Sequence, residues 1–210
     1  SQDNYYRNIT AFLPRIFFHS KNKIKLGIHR NSSNKFRNFL ELLCKQMNIK
    51  ISFVYLDDNF YNFTNSEIPQ FFNMQQSALL LNKLRIKNKL KKNKIYISRQ
   101  NCNYRNLVNE DDVIIKLKGL GFQILDLNNY KISEQVNLFS NAEIVVSPTG
   151  SGLTNIVFCK KGTKIFEISP KYQFEYEDTF KYRFSSISEV LNLKYCRIND
   201  MLLKFIKLPS

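Results

Sequence analysis

Apolar positions along the first half of the chain switch between two periods. Residues 23–28, Lys-Ile-Lys-Leu-Gly-Ile, alternate with period two, as a half-buried strand does. Ser32 or Ser33 then caps a helix through about Asn48, in which Phe36, Phe39, Leu40, Leu43 and Met47 share one face. Residues 49–56 return to strand character and stop at Asp57-Asp58-Asn59, a turn composition. Residues 60–72 are aromatic and irregular, with Pro69 as a breaker, and a helix carrying Leu79, Leu80, Leu81 and Leu84 follows.

The second half repeats this logic with sharper punctuation. Residues 94–98 read as a strand. Asn109 is placed to cap a helix with Val113, Ile114 and Leu117 inside, Asp112 answering the cap nitrogen three residues on. Gly119 and Gly121 end that helix, and 122–125 form the next strand. Ser133 begins a helix with Val136, Leu138 and Phe139 on it. Residues 143–147 are a strand, a turn with Gly150 and Gly152 opens a further helix, Gly162 closes it, and the strand 164–168 is stopped by Pro170. Strand–helix alternation with short connections predicts an α/β fold with parallel sheets flanked by helices. Two Rossmann-like units are expected, an acceptor-side unit over residues 1–91 and a nucleotide-binding unit over residues 92–210. Facing each other, they would leave a cleft at the carboxyl ends of their strands, where open α/β sheets take ligands.

The stretch richest in chemistry is Ser147-Pro148-Thr149-Gly150-Ser151-Gly152-Leu153-Thr154-Asn155, set between apolar runs. Strand, glycine turn and helix bring backbone N–H groups to a phosphate. Without Cβ atoms, Gly150 and Gly152 permit unusual dihedrals and close approach of a ligand. A tight turn with no ligand explains two glycines equally well. Two further groups fall at predicted strand ends: Ser98-Arg99 with Arg105, Asn109 and Glu110, and Glu167 before Ser169-Pro170. Together they offer a phosphate cradle, guanidinium forks for a diphosphate and a carboxylate for ribose hydroxyls. Taken singly, each also fits an ordinary surface charge or a helix first-turn acid.

Composition narrows the partners. The 210 residues carry 32 Lys+Arg against 17 Asp+Glu, a net charge of +15, which favours anionic partners: nucleic acid, acidic lipid headgroups or phosphorylated substrates. A codon bias towards A and T would give the same excess of Lys, Asn, Ile, Phe and Tyr. The basic run over residues 83–94 fits an electropositive patch or a solvated linker. No helix-turn-helix, zinc or RNP signature accompanies the charge, so nucleic acid is a minor expectation. No apolar run reaches the roughly 20 residues of a membrane span. No signal peptide opens the sequence, which says nothing of residues upstream of Ser1. Cys44, Cys102, Cys159 and Cys196 are scattered and read as buried free thiols of a reducing compartment, with no zinc site. The Glu175, Glu177 and Asp178 cluster reads as a solvated helix start, and no Asp-x-Asp pair for a divalent cation occurs. These features place the protein in the cytoplasm, with its basic surface suited to the periphery of an anionic membrane.

Several of these residues resemble a known family. Ile95-Tyr96-Ile97-Ser98-Arg99, Arg105, Asn109-Glu110, Gly121-Phe122, Glu134-Gln135, Leu138-Phe139-Ser140, Ala142 and Gly150-Ser151-Gly152-Leu153-Thr154-Asn155 look like the core of family 61 glycosyltransferases. Glu167-Ile168 and Pro170 fit as well, and Asn4-Tyr5-Tyr6-Arg7 with Leu13-Pro14-Arg15 resembles the family's N-terminal signature. The resemblance implies a GT-B arrangement and transfer of a sugar from a nucleotide-sugar, usually a UDP-sugar, onto a glycan or protein hydroxyl; a phosphorylated or lipid-linked acceptor beside an anionic membrane is suggested by the net charge. The resemblance also implies inversion, with no metal or other cofactor required. It puts Arg99, Arg105, Asn109, Glu110, Thr149, Gly150, Ser151, Gly152, Leu153, Thr154, Asn155 and Glu167 around the donor. Two positions depart from the family pattern: Arg7 and Thr149 stand where it commonly has His, the side chain best suited to proton transfer near neutral pH. Asp57 and Asp58, after a first-unit strand, and Arg7 are then the catalytic candidates, although Asp57 and Asp58 also suit a plain turn. A module that binds donor without turning it over is the competing reading.

Overall fold

The computed structural model describes residues 4–18, 22–86, 92–102, 106–169 and 182–199. The chain divides into two compact units, Ser1–Leu80 and Leu81–Ser210, with the division inside a helix and ahead of the basic run. Arg105, Pro170 and the acidic group Glu175, Glu177 and Asp178 lie outside the described residues.

Unit 1 opens with a continuous helical run: α1 (Tyr5–Arg7), a π-helical turn (Asn8–Phe12) and a 3₁₀ stretch (Leu13–Phe18). Sequence periodicity did not anticipate this run, whose period changes twice; Ile9, Leu13 and Ile16 are its buried aliphatic residues. Next comes a βαβ element, β1 (Lys23–His29), α2 (Asn34–Gln46) and β2 (Lys50–Leu56). The strands pair in parallel from Lys23 opposite Lys50 to His29 opposite Leu56. Ser33 caps α2 as expected, its hydroxyl accepting from Phe36 N–H at 3.2 Å. Phe39, Leu40, Leu43 and Cys44 form the buried face of α2, while Phe36 and Met47 sit at its half-buried margin. Residues 57–73 carry no helix or strand. Arg15 ties this segment down by donating to Pro69 O at 3.0 Å and covering the Phe71 ring at 4.4 Å. Helix α3 (Met74–Asn82) closes the unit and runs across the division.

Unit 2 is a five-stranded sheet, parallel at every pairing, built from β3 (Asn93–Ile97), β4 (Phe122–Leu125), β5 (Ala142–Pro148), β6 (Lys164–Ser169) and β7 (Lys194–Asn199). The spatial order is β4-β3-β5-β6-β7. Helices α4 (Glu110–Gly119), α5 (Ile132–Ser140) and α6 (Arg183–Val190), with 3₁₀ helices Leu127–Asn129 and Ser151–Phe158, make the connections. Because the chain leaves β3 for β4 on one side and returns to β5 on the other, the order reverses between β3 and β5. That is the switch point at which doubly wound sheets open a crevice. Burial follows position in the sheet. The inner strands β5 and β6 are largely buried, whereas edge strand β7 alternates between exposed and half-buried residues. One face packs Tyr96, Val146 and Ile168 against Ile114 of α4 and Leu107.

The α/β class and the parallel sheets are as expected from sequence, but three local expectations are corrected. The helix after the glycine turn is 3₁₀, not α: Leu-Thr-Asn-Ile-Val-Phe is rich in β-branched residues, which crowd an α-helical turn. Asn109 makes no side-chain cap bond, and α5 starts at Ile132, its box formed by Glu134 accepting from Lys131 N–H at 2.6 Å. All four cysteines are free, but only Cys44 and Cys159 are buried; Cys102 is half-buried and Cys196 exposed, the latter because β7 is an edge. Among the described residues no helix is long and apolar enough to cross a membrane.

Candidate functional site

Ser98 and Arg99 directly follow β3, and Thr149 and Gly150 directly follow β5, so the two loops emerge side by side at the switch point. What fixes the first loop is Glu110. This carboxyl is buried, and its Oε1 accepts three hydrogen bonds: Tyr96 Oη at 2.9 Å, Ser98 Oγ at 3.0 Å and the Arg99 backbone N–H at 2.8 Å. Glu110 therefore pins the end of β3 to the start of α4, rather than merely complementing the helix dipole from the surface. Its Oε2 is also buried and has no hydrogen-bond partner. Burial, reinforced by the Glu110 charge and hydrogen bond, raises the Tyr96 hydroxyl far above its ordinary range, so Tyr96 remains a donor to the carboxyl.

Held this way, the Arg99 side chain lies against the Gly150 backbone and is itself buried. A Cβ on Gly150 would collide with Arg99 Nη1 and come within 3.0 Å of Cζ. Gly150 is extended, with φ 176° and ψ 167°, so an unusual dihedral is not what calls for glycine here; the guanidinium occupies the space a side chain would fill. Gly152 has a packing reason, since a Cβ there would meet Leu127 Cδ1 at 3.0 Å and Ile97 Cγ2 at 3.4 Å. The first bond of the 3₁₀ helix runs from Leu153 N–H to Gly150 O at 3.0 Å. The N–H groups of Ser151 and Gly152 therefore have no partner within the helix and stand beside a guanidinium. Such a pairing suits a phosphate.

Other expected members are engaged differently. Thr149 N–H donates to Ile168 O at 2.7 Å, anchoring the turn to β6. Asn155 is fully buried, and its amide donates to Gln135 Oε1 at 3.2 Å and Gly152 O at 3.0 Å. Gln135 in turn donates to Leu127 O and Tyr130 O. This chain shapes the turn from beneath. Leu153 and Thr154 are fully buried, and Asn109 Oδ1 and Thr154 Oγ1 are buried without hydrogen-bond partners.

Glu167 sits within β6, buried, with Oε2 accepting from Tyr195 Oη of β7. Its Oε1 is buried without a partner. Burial first, then the Glu167 hydrogen bond and charge, push the Tyr195 hydroxyl far upward, so it stays a donor. One register step on, Arg197 donates to Ser169 Oγ at 2.6 Å. Sequence reasoning missed Tyr195 and Arg197. The usable signal was the short Lys-Tyr-Cys-Arg-Ile-Asn alternation after Asn192, a residue that takes φ 53° in the turn.

The catalytic candidates of unit 1 separate clearly. Asp57 Oδ1 accepts from Tyr61 Oη at 2.5 Å and Asn59 N–H at 3.0 Å, and Oδ2 pairs with Arg30. Tyr61 chiefly, then Asn59 and Arg30, bring the Asp57 pKa down to about 2, which makes it a poor proton acceptor. Asp58 is exposed and lies 3.2 Å from His29 Nε2, at the carboxyl end of β1. His29 Nδ1 takes the Asn31 N–H at 3.2 Å, which leaves Nε2–H to point at the carboxylate. Arg7 is exposed in α1, its backbone N–H capped by Asn4.

In open, doubly wound parallel sheets the carboxyl edge is the usual place for a ligand, and here that edge carries a guanidinium and buried carboxyls. The family model described as Glycosyltransferase 61 matches residues 5–166, well over half of the chain, and the chain belongs to that family. Its class of chemistry is therefore sugar transfer, with a sugar donor and an acceptor as substrates. No protein of the curated set matches the chain in sequence.

Proposed function

We propose that this glycosyltransferase takes its sugar from a nucleotide-sugar, in the first instance a UDP-sugar, and delivers it to a hydroxyl of a glycan or lipid-linked acceptor. Transfer inverts the anomeric centre and needs no metal. The observation that carries this reading is the Arg99 guanidinium lodged on Gly150 beside the open N–H groups of Ser151 and Gly152. Fixed positive groups there stabilise the charge that develops on the departing diphosphate, the task a cation performs in metal-dependent transferases. Arg105, seven residues past Ser98, is assigned to the same diphosphate. Asp58 accepts the proton of the attacking hydroxyl; the hydroxyl oxygen forms the new bond to the anomeric carbon as the bond to the diphosphate breaks, and the nucleoside diphosphate leaves with the electron pair. Asp58 is preferred to Asp57, whose lone pairs are committed to Tyr61, Asn59 and Arg30.

Calorimetric titration with UDP, GDP and CMP in EDTA tests it. One nucleotide should bind without metal, and Arg99→Ala should weaken it by about 1.5–3 kcal/mol, the worth of a hydrogen bond to a charged group. Unchanged affinity in Arg99→Ala would remove the diphosphate assignment, and binding that requires a divalent cation would remove the metal-free mechanism.

A further inference from the structure

Residues 51–82 hold no lysine or arginine, although those two residue types make up 32 of the chain's 210 positions. The charges of that stretch are Asp57, Asp58 and Glu67. A codon bias would place lysine there as readily as the Asn, Phe and Tyr it does hold. Within the gap, Phe60-Tyr61-Asn62-Phe63 follows the Asp57-Asp58 turn at the carboxyl end of β2. Phe60 is fully exposed, and Tyr61 and Phe63 are 45% and 49% exposed. Three rings this open within four residues form a patch rather than scattered exposure. The patch is also held in place. Tyr61 Oη donates to Asp57 Oδ1, and Asp57 is fixed in turn by Asn59 N–H and Arg30. Phe63 lies near-parallel to Tyr61, the ring planes 27° apart and the centroids at 6.0 Å. At the far end of the segment Arg15 grips Pro69 O and the Phe71 ring. Rings ordered before a ligand arrives spare it that cost on binding. Polar groups frame them: the exposed Asn59 and Asn62 amides, the Asp58 carboxylate and the exposed Arg30 guanidinium.

A pyranose is complementary to such a surface. Its C–H face lies on an aromatic ring, and the hydroxyls around its rim donate to carboxylate or amide oxygens and accept from amide or guanidinium N–H groups. A lipid chain would strip water from those polar groups and give nothing back. An anionic ligand would meet two carboxylates, Asp57 and Asp58, against the one Arg30 guanidinium. We infer that Tyr61 and Phe63 form a stacking platform for consecutive sugar rings of a neutral glycan chain, the acceptor of the transfer. This rests on the acceptor side of the proposed function and narrows it, since the net charge of the whole chain favours an anionic acceptor and this stretch excludes one. Asp58, the assigned proton acceptor, stands three residues before Tyr61, at the border of the platform where the chain's end would present its hydroxyl.

The test uses the full chain without nucleotide. The probes are hexasaccharides of β-1,4-linked glucose, xylose, mannose and N-acetylglucosamine, with hexagalacturonate as the anionic comparison, read by saturation-transfer NMR and titration. At least one neutral chain should bind, more tightly than its own monosaccharide and more tightly than hexagalacturonate. Phe63→Ala should weaken that chain about ten-fold while keeping the wild-type melting temperature and nucleotide affinity. Tyr61→Phe, which keeps the ring, should bind it more tightly than Tyr61→Ala. Equal affinity in wild type and Phe63→Ala would overturn the platform. Preference for hexagalacturonate, or for a monosaccharide over its hexamer, would overturn a neutral chain spanning two rings, and neither comparison needs a variant. Failure of every neutral chain to bind would overturn the inference outright. Because nucleotide titration is a separate measurement, that failure would leave the donor reading standing.

Discussion

At the scale of single residues, the site depends on one missing methyl group. Gly150 has an extended backbone that alanine can also adopt, so a substitution there strains nothing in the main chain. What it displaces is the far end of the Arg99 side chain, which would have to give way to a Cβ. Gly150→Ala should therefore fold with a melting temperature close to that of the wild type, yet bind nucleotide at least about ten-fold more weakly, as is expected of Arg99→Ala. Thermal unfolding and calorimetry on the same sample separate the two effects. A well-folded Gly150→Ala that binds like wild type would show that Arg99 lies against the turn for packing alone. The contrast between Asp57 and Asp58 belongs to this scale too. Adjacent carboxyls of the same type differ because one meets Tyr61, Asn59 and Arg30 and the other meets solvent and His29.

Elements were legible where period and punctuation agreed. Helix α2 is the clearest: a serine cap, an apolar face at helical spacing, a strand of period two before it and a run of strand character after it. The Ser33 hydroxyl satisfies one of the first N–H groups of α2, so Ser33→Ala should cost about 1 kcal/mol. Denaturant unfolding measures it, and a loss below a few tenths would mean that water replaces the cap at no expense. Strands β3, β5 and β6 were equally readable, because inner parallel strands are nearly continuous apolar runs. Strand β7 was not. An edge strand buries little, and Lys194, Cys196 and Ile198 are exposed, so its alternation looks like an ordinary polar segment. With β7 went Tyr195 and Arg197, the hydrogen-bond partners of Glu167 and Ser169. Glu110 shows another limit. The sequence gives an acid in the first turn of α4, but only tertiary packing turns that acid inward onto Tyr96, Ser98 and Arg99. The loops at the β3–β5 switch point, by contrast, followed from the order of strands and the position of the glycines.

At the scale of the whole molecule, the proposed functions divide between the two units. Every group assigned to the nucleotide belongs to Leu81–Ser210, and the proton acceptor belongs to Ser1–Leu80. Binding and chemistry should therefore be separable by mutation. Asp58→Asn keeps the size and the contact to His29 but cannot accept a proton at neutral pH. Because the Asp58 side chain is exposed and bonds His29 at the surface, the fold has little to lose. The variant should bind nucleotide with wild-type affinity and lose about 10²–10⁴-fold in kcat, the usual worth of a positioned base. Single-turnover transfer from a nucleotide-sugar, measured beside nucleotide calorimetry, gives both numbers. Wild-type turnover in Asp58→Asn would move the base elsewhere in the molecule. A parallel loss of nucleotide affinity would mean that Asp58 acts on the donor and not on the acceptor hydroxyl, since a group that only removes a proton in the transition state has no part in ground-state binding.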